Sequence, residues 1–175
     1  MNETKALKPI SSKLPKNVST AQWHPRKPSV ASIAFVASDY DREPSIQLFD
    51  TGAEANNVIG NYTFKMPDVD MVGVVVASIV WNPGENSFLA VMSEGSIFLF
   101  AEEYPTPKMY YEKQNTGVAE AVWLDNISGD FLTCSKKVGA LRIWNASSPT
   151  PKRIIKVSNF GICNVVPTFT NNFLL

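Results

Sequence analysis

The chain has 175 residues with 16 basic and 16 acidic side chains, so its formal charge is zero, and 45% of it is apolar. That is enough for one domain with a real core, too short for two, and too apolar for wholesale disorder. The longest apolar run, Val72 to Trp81, is broken by Gly73 and Ser78 and falls far short of the roughly 20 residues that span a bilayer.

Residues 1–17 are polar, rich in Lys and punctuated by Pro9 and Pro15, the composition of a flexible leader. No basic stretch followed by an apolar segment and a small-residue cleavage site opens the chain, so a cytoplasmic location is expected. From Val18 onward, short runs of Val, Ile, Phe, Trp and Tyr alternate with Gly, Pro, Asn and Asp every eight to twelve residues, the signature of an all-β chain. No segment sustains an i, i+3, i+4, i+7 apolar pattern, so almost no helix is expected.

The strands repeat. VSTAQWHP (18–25) matches VASIVWNP (76–83) and VAEAVWLD (118–125), with Trp always in the sixth place. Second runs follow at 29–39, 87–95 and 130–137. Third runs follow as SIQLFD (45–50), SIFLFA (96–101) and ALRIWN (140–145), and fourth runs at 57–65, 107–113 and 151–157. The units are thus 18–65, 76–113 and 118–157, with a fourth, incomplete one at 161–175 opening on GICNVV. Trp81 and Trp123 are 42 residues apart, and Phe100 and Trp144 are 44 apart. Four strands per unit of this length is the arithmetic of a β-propeller blade.

Over residues 18–175 the chain resembles the WD-repeat family. The Trp-Asp pair that closes that family's third strand is represented by Phe49-Asp50, Phe100-Ala101 and Trp144-Asn145, while the family's Gly-His signature is absent. The resemblance implies a partial propeller of about three complete blades, an N-terminal or truncated portion of a longer one. In the third unit the family's hydrogen-bonding Ser and Asp positions align with Cys134 and Val138. On that alignment the buried polar tetrad cannot form, and apolar packing with ladder hydrogen bonds is expected to hold the blades alone.

Trp23, Trp81 and Trp123 on the innermost strands, with Phe49, Phe100 and Trp144 on the third strands, are expected to fill the layers between blades. His24 reads as a solvent-facing turn residue. The acid pairs Asp68/Asp70 and Glu102/Glu103 read as solvated loops, since no third oxygen ligand stands in register for a metal. Catalysis has little to work with: a single histidine, no nucleophile elbow, no phosphate-cradling glycine motif, and two cysteines without Cys-x-x-Cys spacing. No cofactor is implied.

Charge is segregated, with residues 39–103 carrying eleven acids and two bases while 104–175 carry eight bases and four acids. Bases do not interleave with aromatics, so a nucleic-acid stripe is not expected. The connections between second and third strands are the candidate contact loops: Asp39, Tyr40 and Arg42 in the first unit, and Lys136 and Lys137, beside Arg142, in the third. In the family such connections lie on the face where partners dock. The expected function is a non-catalytic scaffold for partner proteins. A structural subunit of a coat, ciliary or motor complex is the alternative, and a propeller-type enzyme ranks last. An open arc would also expose blade edges, including Val165, Val166, Phe169 and Phe173, through which copies could self-associate.

Overall fold

The computed structural model describes residues 17–35, 44–52, 57–64, 73–124, 128–162, 164–167 and 173–174. Among them every regular element is a strand. Blade 1 comprises β1 (Val18–Trp23), β2 (Val30–Phe35), β3 (Ser45–Asp50) and β4 (Asn57–Thr63). Blade 2 comprises β5 (Val76–Trp81), β6 (Ser87–Met92), β7 (Ile97–Ala101) and β8 (Met109–Tyr111). Blade 3 comprises β9 (Val118–Trp123), β10 (Asp130–Ser135), β11 (Ala140–Asn145) and β12 (Arg153–Lys156). Each blade is an antiparallel meander in chain order, and the two-residue strands β13 (Val166–Pro167) and β14 (Phe173–Leu174) pair as a separate ribbon. The blades follow one another without closing a ring.

The repeat extends to the backbone. Just past each innermost strand the same hydrogen bond recurs: His24 N to Val30 O at 2.8 Å, Asn82 N to Ser87 O at 2.9 Å, and Leu124 N to Asp130 O at 2.9 Å. Just past each third strand another recurs at 2.8 Å, from Thr51 N to Ser29 O, Glu102 N to Asn86 O and Ala146 N to Gly129 O. Each innermost strand also carries a bulge next to its first residue, Val18, Val76 or Val118. A bulge sharpens the local twist, which suits a strand at the crowded inner edge of a blade.

Alternation along the strands sends two apolar rows to opposite faces of every blade, and the rows of neighbouring blades meet. Ile46, Leu48, Tyr62 and Phe64 of blade 1 pack against Trp81, Phe88, Phe98 and Phe100 of blade 2. Leu89, Val91, Leu99 and Tyr111 of blade 2 pack against Trp123, Phe131 and Trp144 of blade 3. Leu132, Cys134 and Leu141 on the far face of blade 3 are covered by Ile162 and Val165. Val165, expected on an open edge, is therefore buried, because the start of the fourth unit folds back on blade 3, while Val166 is exposed. Phe169 and the side chain of Phe173 lie outside the described residues.

Candidate interaction surfaces

The seams between blades account for most of the aromatic residues. At the first seam Trp81 Nε1 donates to Ser32 Oγ of the preceding blade at 3.1 Å, and at the second Trp123 Nε1 donates to Val80 O at 3.1 Å. Phe100 and Trp144 are buried in the same two layers. Trp23 departs from this pattern and is 56% exposed. It pairs with Ala31, on the blade face turned away from blade 2, where no preceding blade stands among the described residues. Phe49 shares that face and is buried with Ile33 and Phe35 in a small cluster of its own rather than between blades.

Two tyrosines that the sequence did not single out tie the seams. Tyr62 OH donates to Glu102 O at 2.5 Å, and Tyr111 OH donates to Ala146 O at 3.1 Å, each reaching the residue just past the third strand of the next blade. Burial drives both phenols above the usual tyrosine range.

His24 is a correction. It is 3% exposed rather than solvent-facing, with its ring 4.4 Å from that of Trp81. Burial is tolerated because Nδ1 accepts from the backbone N–H groups of Arg26 and Lys27, both at 3.0 Å. Those bonds place the ring proton on Nε2, 3.6 Å from Glu102 Oε2. Glu102, read from sequence as a solvated loop acid, is largely buried and ion-paired with Lys27. Glu103 is exposed, and Asp68 and Asp70 lie outside the described residues. Burial holds the His24 imidazole below its ordinary 6.5, against the opposing pull of Glu102. Below about pH 6.5 the unfolded chain therefore binds a proton that the folded chain resists. Stability contributed at this site is complete above that pH and declines as the solution is acidified through it. Thermal midpoints measured across this range should fall less steeply in His24→Asn, since Asn82 holds the matching position in blade 2 and accepts from Gly84 N at 2.9 Å.

The third blade also corrects the expectation of purely apolar cohesion. Trp144 Nε1 donates to Thr133 Oγ1 at 2.9 Å, and that hydroxyl donates to Gln114 Oε1 at 3.0 Å. Arg142 Nη1 donates to the same Gln114 oxygen at 3.2 Å. The hydroxyl position is thus Thr133, one residue before Cys134, and Gln114 stands in the preceding loop. In blade 2 the ladder places Ala90, Phe98 and Phe100 at the corresponding positions, none of which carries a hydrogen-bonding side chain. Thr133→Val strands a buried indole N–H and is expected to cost about 1–3 kcal/mol, read as a urea midpoint shift at constant slope. Thr133→Ser, which keeps the hydroxyl, should cost less.

Of the contact-loop residues, Lys136 and Lys137 are exposed on the turn between β10 and β11. Ser135 Oγ braces the turn by accepting from Lys137 N and Val138 N, both at 3.3 Å. Arg142 does not join them, being engaged with Gln114. Asp39, Tyr40 and Arg42 lie outside the described residues. On the inner side of the arc, Trp23, Ile79, Glu120 and Asn164 line an open concavity of about 590 Å³. Among the described residues no three His, Cys, Asp or Glu side chains converge as metal ligands, and no helix is long and apolar enough to cross a membrane.

No protein-family profile matches the chain, and no curated protein matches it in sequence. Solved structures match in fold. A chain of the crystal structure of the mitotic checkpoint complex superposes with a TM-score of 0.63 at 13% identity, over 85% of this chain and 41% of that one. The crystal structure of Saccharomyces cerevisiae Sqt1 superposes with a TM-score of 0.64 at 13% identity, over 85% of this chain and 37% of that one. The chain thus spans about two-fifths of the length of each neighbour. Its fold is that of a WD-repeat propeller in part: three four-stranded blades in an unclosed arc.

Proposed function

We propose that this chain is a non-catalytic, cytoplasmic scaffold that holds partner proteins on the loop face of its blades. The observation that carries the reading is the braced turn bearing Lys136 and Lys137, which presents charge to solvent from a blade whose Trp123, Phe131 and Trp144 are committed to the seam with blade 2. Fixed blades presenting variable loops suit recognition, because loop residues can be chosen for a partner without disturbing the core. That one neighbour in fold is a chain of a multiprotein complex supports the same reading. The loop holding Asp39, Tyr40 and Arg42 belongs to this contact face as well, Tyr and Arg being residue types enriched at binding hot spots.

Amine-reactive cross-linking in intact cells, followed by mass spectrometry, tests the reading. Cross-links from Lys136 or Lys137 to other proteins, with co-purification at native salt, are the expected result. A chain that purifies alone and cross-links only to itself, or that turns over a substrate, would overturn it. The exposed Trp23 favours a further contact, since its counterparts Trp81 and Trp123 each reach across to a preceding blade. Copies of the chain are therefore expected to associate at micromolar concentration. Light scattering should show a concentration-dependent mass that Trp23→Ser lowers, and a constant monomer mass would exclude the contact.

A further inference from the structure

The turn after β10 does not stand alone. The segment that follows β12 lies directly on it, with Val157 N and Ser158 N donating to Gly139 O at 2.7 and 3.2 Å and Ile162 N donating to Ser135 O at 2.9 Å. The approach is so close that a Cβ on Gly161 would sit 1.9 Å from Lys136 O. Ser158 Oγ fixes the segment in turn, donating to Phe160 O at 2.6 Å and accepting from Phe160 N at 3.1 Å. Residues 135–140 and 156–161 therefore form one braced platform.

The platform is chemically uniform. It carries Lys136, Lys137 and Lys156, all exposed, and no Asp or Glu in either stretch. Among the described residues none of these three lysines makes an ion pair, whereas Lys27, Lys113 and Lys152 pair with Glu102, Glu94 and Asp130. Beside the cations stand three exposed apolar side chains: Val138 at 39%, Val157 at 40% and Phe160 at 81%. An aromatic side chain left almost fully in water next to unpaired cations on an ordered backbone is a contact surface awaiting both carboxylates and an apolar group.

Resting on the scaffold reading above, we infer that this platform is the docking site for an acidic peptide segment of a partner protein, whose carboxylates meet Lys136, Lys137 and Lys156 and whose apolar side chain covers Phe160. Charge complementarity selects the occupant. Three lysines are few for an anionic membrane, where each adds only a small increment of attraction, and they stand on a single turn and on the strand end opposite Ala140 rather than along an elongated basic groove that tracks a nucleic-acid backbone.

Fluorescence anisotropy on the full chain tests the assignment, using a fluorescein-labelled peptide of alternating Glu and Leu and the same peptide with Gln for Glu. The Glu peptide should bind and weaken with added salt, and the Gln peptide should bind about tenfold less tightly or not at all. Lys136→Gln combined with Lys137→Gln, and separately Phe160→Ser, should each weaken the Glu peptide by about tenfold while leaving the thermal midpoint unchanged, because all three side chains are exposed. Equal binding of the two peptides, binding indifferent to these substitutions, or a preference for phosphatidylserine vesicles over the Glu peptide would overturn the inference. If the Glu peptide fails to bind while Lys136 or Lys137 still cross-links to partner proteins in cells, the acidic-peptide assignment falls and the scaffold reading stands.

Discussion

Trp81→Ala is expected to destabilise the chain by about 3–5 kcal/mol, because it leaves a cavity in the buried layer between blades 1 and 2. The indole is 7% exposed, lies between the rings of His24 and Phe88 at 4.4 and 4.8 Å, and donates to Ser32 Oγ across the seam. Its loss removes apolar contacts on both sides and leaves that hydroxyl with one partner fewer. Trp23→Ala provides the internal control: the same residue type at the same place in its blade, but 56% exposed, should cost about 1 kcal/mol or less. Chemical denaturation of both variants measures the difference. Equal shifts would mean that the layers between blades contribute nothing specific, and the packing described for the first seam would have to be abandoned.

Gly95→Ala should be comparably damaging, at about 2–4 kcal/mol, for a backbone reason. Gly95 turns the chain from β6 into β7 with φ of +102°, a region costly for any residue with a Cβ. The space is also taken, since an added Cβ would stand 2.2 Å from the carbonyl oxygen of Gln114. That carbonyl belongs to the loop from blade 2 into blade 3, which docks on the turn through Gln114 N donating to Gly95 O at 3.1 Å. Blade 3 repeats the device, with the loop after β12 resting on Gly139. Moving the Gln114 backbone would also shift its side-chain oxygen, on which Thr133 and Arg142 converge. Gly95→Ala should therefore reduce the Trp144 hydrogen bond, detectable as a loss of protection of its indole N–H from exchange. Unchanged stability and protection would show that the turn has room to adjust.

The all-β class and the four-strand period were legible along the chain because they depend on local chemistry. β-branched and aromatic runs favour extended backbone, and turn residues interrupt them at a regular interval, so the blade pattern of 76–101 can be read from its letters. The aromatic closures Phe100 and Trp144 were legible for the same reason, an apolar residue recurring at one place in a repeat. Lys136 and Lys137 were visible as a charged turn, but the apolar half of their platform was not, because Val157 and Phe160 reach it only when the segment after β12 folds back.

The tertiary structure decided everything that depends on which face meets which neighbour. Thr133 and Cys134 are adjacent letters, yet the pleat sends them to opposite faces, one to the Trp144 layer and the other to the cluster under Ile162. A one-residue difference in alignment was enough to hide the polar chain through Gln114. His24 could be placed in its turn from sequence, but its burial required Trp81 from the next blade and two backbone N–H groups to satisfy its Nδ1. Trp23 carries the same sequence signature as Trp81 and Trp123, and it stands exposed because burial belongs to a pair of surfaces, and the surface that would complete its pair is not among those that the described blades supply.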